Sequence, residues 1–91
     1  MRKGEMLPTT TTVADHYEAT LGDMYFGSVS LFNVEITEIY YMYVVEYDSR
    51  KTGMGIEHVV FDDEKEATDC YNATVRNIKK DVLEYLQKEI A

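Results

Sequence analysis

Few residues in this chain are of types that do chemistry, and their spacing decides how far each can be taken. Asp62, Asp63, Glu64, Glu66 and Asp69 crowd one short stretch with carboxylates, a composition that suits a hard cation seeking several oxygen ligands. The stretch has neither the spacing nor the glycine of an EF-hand loop. Asp63-x-x-Glu66 ahead of an apolar periodic run is instead a helix-capping signature, and helix-start electrostatics accounts for these acids without a metal. His16, His58 and Cys70 are the candidates for soft-metal binding or nucleophilic attack, and they show no motif spacing. Cys70, beside Tyr71 on an apolar helical stripe, reads as a buried, inert thiol, and His58, alternating with Ile56 and Val60, reads as a strand residue. Glu46 and Asp48 have the right types for general acid–base work, but no pocket is legible around them. Gly53-Met54-Gly55 lacks the Gly-Lys-Ser/Thr of a phosphate loop, and the sequon Asn72-Ala73-Thr74 falls inside a predicted helix and is read as unused. The inventory predicts a non-enzymatic protein with no catalytic residue, no metal and no cofactor.

Charge carries more information than motif. Between Lys3 and Arg50 there is no lysine or arginine, while Glu5, Asp15, Glu18, Asp23, Glu35, Glu38, Glu46 and Asp48 all fall there. From Arg50 onward acids and bases nearly balance, so the net charge of -8 comes mostly from the first half. A field of one sign favours a basic protein partner and disfavours nucleic acid and anionic membrane. With 45% hydrophobic residues in 91, the chain is an ordinary small globular domain rather than a disordered one. A single cysteine excludes an intrachain disulfide, and the start has no apolar run behind its basic end, so the expected location is the cytoplasm.

The elements that must position these residues follow from periodicity. Residues 1–11, with Pro8 and four consecutive threonines, read as an irregular lead-in to a single domain over 12–91. Val13, Tyr17 and Leu21 recur every four residues before Gly22, which predicts a short helix over 12–21; the competing reading is a β segment from Thr9 to Thr20, since Thr, Val and Tyr favour strands. From Met24 the period is two, with Val29 and Leu31 on one side and then Phe32, Val34 and Ile36 on the other, a parity switch that predicts a turn or bulge near Phe32-Asn33. Ile39 to Tyr47, dense in β-branched and aromatic residues, predicts a central strand, joined by a hairpin connection over 48–55 to a further strand, Ile56 to Phe61. Ala67, Cys70/Tyr71, Thr74/Val75, Ile78, Val82, Tyr85/Leu86 and Ile90 then mark one face of a long amphipathic helix. The fold class is α+β: an antiparallel three-stranded meander with a long C-terminal helix, and a short N-terminal one, on one face, in the order (α)βββα.

That order resembles the double-stranded-RNA-binding domain in topology, but where that family carries a lysine-rich start to its last helix this chain reads Asp62-Asp63-Glu64-Lys65-Glu66, so direct binding of nucleic acid is not expected. In the central strand, the side with Val34, Ile36, Glu38, Tyr40, Met42, Val44 and Glu46 is the more aliphatic and is expected beneath the helices. Tyr41, Tyr43 and Tyr47 then fall on the open side, where tyrosine offers large contact area and a polar tip. The same tyrosines would equally complete a two-sided core or a homodimer sheet. In size, acid excess and the run Glu35, Glu38, Tyr41, Tyr43, Glu46, Tyr47 and Asp48, the chain resembles small phage-encoded inhibitors that mimic DNA, of the anti-restriction and anti-CRISPR kind. The resemblance implies an inhibitor that occupies the nucleic-acid-binding surface of a basic partner, with those seven residues as candidate contacts. The alternatives are a homo-oligomerisation module and an antitoxin or assembly factor that neutralises a basic protein.

Overall fold

The computed structural model describes residues 10–51 and 55–89, together with the backbone but not the side chain of Ile90. Among the described residues four strands are followed by one helix: β1 (Thr10–Leu21), β2 (Met24–Thr37), β3 (Tyr40–Ser49), β4 (Glu57–Phe61) and α1 (Glu64–Ile90). The strands form one antiparallel sheet in the order β1-β2-β3-β4, so the fold is α+β, with four strands where three were expected. The difference lies at the N-terminus. Residues expected as a helix over 12–21 form β1, and the order is ββββα, which removes the topological likeness to the double-stranded-RNA-binding domain. The period-four apolar set Val13, Tyr17, Leu21 is also compatible with a twisted edge strand carrying irregularities between Val13/Asp15 and Ala19/Thr20, and the run of Thr and Val there favours the strand. Thr10 and Thr11 already pair with Glu35 and Val34, so the strand begins inside the stretch expected as an irregular lead-in; the rest of that lead-in, over 1–9, lies outside the described residues. So do residues 52–54 of the expected hairpin connection and the Ile90 side chain.

Gly22 terminates no helix; it opens the two-residue turn between Leu21 and Met24 with φ of 63° while Asp23 keeps a negative φ, the pattern of a type II′ hairpin turn. The helix starts as its sequence predicts. The Asp63 carboxylate accepts the Glu66 backbone N–H at 2.9 Å, and Lys65 pairs with Asp69 one turn on at 2.9 Å, so two of the clustered acids are engaged in helix-start contacts.

Alternation fixes the two faces of the sheet, and they are the reverse of the expectation. Register places Tyr17, Val29, Tyr47 and Glu57 in one transverse row and Asp15, Leu31, Val45 and Val59 in the next. Val29, Leu31 and Val45 are buried with Ala67, Tyr71 and Ile78 of α1, and Tyr43 and Tyr47 pack against that core. The side of β3 with the tyrosines therefore lies beneath the helix, and the more aliphatic side is open. Gly27 shows how closely the layers approach: a Cβ there would stand 2.8 Å from the Asp48 carbonyl oxygen and 3.2 Å from the Ile78 side chain.

The far end of α1 is fixed by the first base after the base-free interval. Arg50 donates from Nε and Nη2 to the two oxygens of Asp81, both at 2.8 Å, and its guanidinium lies 4.7 Å from the Phe26 ring centroid and 5.8 Å from that of Tyr85. Asp81 is buried at 4% exposure, inside the apolar stripe, and the Arg50 hydrogen bonds hold its carboxyl below the ordinary value against the opposing effect of burial.

Candidate functional site

Because β-strand side chains alternate, each transverse row under the helix has a neighbour on the opposite, open face. One such row is apolar across all four strands: Val13, Phe32, Val44 and Val60. Val13 and Val60 are more than half exposed, and Phe32 and Val44 are partly so. Thr11, Val34 and Met42 form the next row toward the β2–β3 hairpin, and Thr11, Phe32, Val34 and Val44 line a shallow depression whose other wall is Glu46 and His58.

The row on the other side is polar: His16, Ser30, Glu46 and His58, one residue from each strand. His16 Nδ1 lies 2.7 Å from Ser30 Oγ, and His58 Nε2 lies 2.9 Å from Glu46 Oε2. His16 Nε2 is also 3.9 Å from Glu18, so hydroxyl, imidazole and carboxylate follow one another as in a nucleophile–base–acid set. The histidine and glutamate side chains there are 51% and 52% exposed. A triad works through preorganised donors in a water-excluded site, and a set bathed in solvent on a strand surface lacks that enclosure. Beyond it Glu18, Ser28 and Asp48 form a further row, with the Tyr25 hydroxyl 3.1 Å from both Ser28 Oγ and Asp48 Oδ2. Burial, with Asp48 adding to it, raises the Tyr25 phenol above its ordinary value and keeps it a donor.

The expected contact residues are thus divided between surfaces. Glu46 and Asp48 are on the open face; Tyr43 and Tyr47 are on the covered face and pack against the core; Glu35 and Tyr41, which pair with each other, share the covered side's parity beyond the last core-packed residue of β3; Glu38 sits in the exposed turn at the hairpin tip beside Ile39, itself 92% exposed. The residues that sequence reasoning passed over are Val13, Phe32, Val34, Met42, Val44 and Val60. Their signal was present as the parity switch after Leu31. The predicted irregularity lies on the facing strand: the β1–β2 register shifts between Val13 and Asp15, opposite Phe32 and Leu31, while β2 pairs with β3 there without interruption, and the parity switch also records a change in which face is apolar.

Of the remaining candidates, Cys70 is half-buried and lines a cleft of about 330 Å³ with Tyr47, Val59, Thr74, Ile78 and Asp81, rather than being sealed in the core. Among the described residues no group of three or more His, Cys, Asp or Glu is placed to hold a metal ion, and no helix is long and apolar enough to cross a membrane. No protein family, curated protein or solved structure matches the chain.

Proposed function

We propose that the protein is a non-enzymatic docking module whose open sheet face, apolar along Val13, Phe32, Val34, Val44 and Val60 and acidic at Glu18, Glu46 and Asp48, binds a basic surface of another protein. The observation that carries the reading is the separation of charge between layers. β1, β2 and β3 contain no lysine or arginine, while Arg50, Lys51, Lys65 and Lys79 engage Asp81, Glu84, Asp69 and the Tyr17 ring on or beside α1. The open face thus presents carboxylates without a Lys or Arg counter-charge on those three strands. Around an apolar centre, that is the complement of a positively charged surface with a hydrophobic anchor point.

A surface that grips phosphates is one basic surface of this kind, so the reading extends to an inhibitor that occupies a nucleic-acid-binding site, of the sort the anti-restriction and anti-CRISPR resemblance implies. The roles divide: Glu18, Glu46 and Asp48 accelerate encounter, and Phe32 with Val44 slows departure. The test is affinity capture from host lysate at two salt concentrations with wild type, Phe32→Asp and Glu46→Lys/Asp48→Lys. The reading expects a basic protein recovered by wild type, lost with Phe32→Asp at both salts, and lost with the double substitution most clearly at low salt. Equal recovery by all three would overturn it.

A further inference from the structure

We infer that the outer edge of β1 pairs with β1 of a second copy of this chain, antiparallel and centred on Tyr17, joining two four-stranded sheets into one of eight strands. The inference goes beyond the docking reading and does not depend on it.

β1 is an edge strand of 12 residues, and among the described residues nothing pairs with its outer side. Exposed edges are ordinarily blunted by lysine, proline or irregular pairing. Here there is neither lysine nor proline, and the two irregularities fall between Val13/Asp15 and Ala19/Thr20, leaving Asp15–Ala19 as an uninterrupted window with Tyr17 at its centre.

Backbone direction within that window is readable. The His16 N–H is held at 2.9 Å by its own neighbour's carboxylate, Asp15 Oδ1, so it points away from β2. The short 2.7 Å approach of the His16 and Ser30 side chains agrees, since side chains lie closer in a pair that exchanges no backbone hydrogen bonds. By alternation His16 and Glu18 turn their backbone groups outward, while Asp15, Tyr17 and Ala19 turn theirs toward β2.

A two-fold axis through Tyr17 then sets His16 opposite Glu18 of the partner, and Glu18 opposite its His16. Both pairs exchange backbone hydrogen bonds, the partner's Glu18 carbonyl taking the His16 N–H in place of Asp15 Oδ1, and both bring an imidazole against a carboxylate on the open face. The central Tyr17 pair is the close, non-hydrogen-bonded kind, with its rings on the helix side beneath Lys79, which already lies 5.5 Å from the Tyr17 centroid. Centres at His16 or Glu18 would match the same outward backbone groups but would set His16 against His16 or Glu18 against Glu18, so the imidazole–carboxylate pairs select Tyr17, and a slip that pairs odd with even residues would mismatch inward and outward backbone groups. Antiparallel edge pairing keeps the two open faces on one side, so the dimer doubles the acidic, apolar surface without covering it.

The experiment is sedimentation equilibrium of the full chain with three variants. His16→Glu sets carboxylate against carboxylate at both symmetric pairs and should weaken the dimer about tenfold or more. His16→Glu/Glu18→Lys rebuilds both pairs in reverse and should recover affinity to within about threefold of wild type, and the charge-matched control His16→Glu/Glu38→Lys, altered at the hairpin tip, should not recover. In the wild type, protection of the His16 and Glu18 amides from hydrogen exchange should rise with concentration. A chain monomeric to about 1 mM, a dimer indifferent to His16→Glu, or rescue by the Glu38 control as good as by Glu18→Lys would each overturn the inference.

Discussion

The two faces of one sheet use the same kinds of residue for opposite purposes. Beneath the helix, Phe26, Val29 and Val45 are wholly buried and Tyr43 and Tyr47 close the sides of the core. On the open face Val13, Phe32, Val44 and Val60 make an equally apolar row and have nothing over them among the described residues. Hydrophobicity alone therefore does not identify the core side of this sheet. What distinguishes the faces is what surrounds the apolar row: small and aromatic residues shaped to a helix on one, histidines, hydroxyls and carboxylates on the other. The first arrangement makes a stable domain, and the second leaves apolar area available to something else.

Substitutions separate the two roles. Phe26→Ala should be the most damaging, costing about 3–5 kcal/mol in urea denaturation because it opens a cavity and removes a ring held between Arg50 and Tyr85. Gly27→Ala should cost about 1–3 kcal/mol, since the added methyl meets a backbone carbonyl that cannot turn aside as a flexible side chain can. Phe32→Ser, on the open face, should change stability by less than about 1 kcal/mol. A loss as large as that of Phe26→Ala would mean that the open row is a second core.

Titration divides the molecule in the same way. The Asp81 carboxyl is lowered by Arg50, so its stabilisation is complete above the unfolded value near 3.9 and is lost as pH falls through the still lower folded value. Tyr71 is opposite in sign: burial first, then the charge and hydrogen bond of Asp15, push its phenol up to about 12, so its contribution is lost as pH rises from about 10 toward 12. Denaturation midpoints of Asp81→Asn should fall less steeply in acid than those of wild type, and those of Tyr71→Phe less steeply in alkali. Unaltered acid and alkaline limbs in these variants would remove both groups from the account of the covered face.

The comparison also explains what was legible beforehand. The C-terminal helix was clear because one stripe, Ala67, Tyr71, Ile78, meets one surface, and its capping acids are local in sequence. The strand over Tyr40–Ser49 was clear because β-branched and aromatic residues leave few other conformations. β1 was ambiguous because period-four spacing and β propensity coincide at Val13, Tyr17 and Leu21. The faces were misassigned for a physical reason: aliphatic content was taken to mark the buried side, whereas Tyr43 and Tyr47 bury their rings at the core margin and the aliphatics face outward. Asp81 was invisible as a core residue until its partner, 31 positions away, could be seen.

The most direct test of the docking account is a methyl NMR titration of the chain with the protein captured from lysate, following valine, leucine and methionine methyls on both faces and on the helix. The account predicts that Val13, Val34, Met42, Val44 and Val60 shift and acquire intermolecular contacts while Val29 and Val45 stay in place. Intermolecular contacts confined to the outer side of the helix, at the exposed Leu83, with the open-face methyls unmoved, would contradict it.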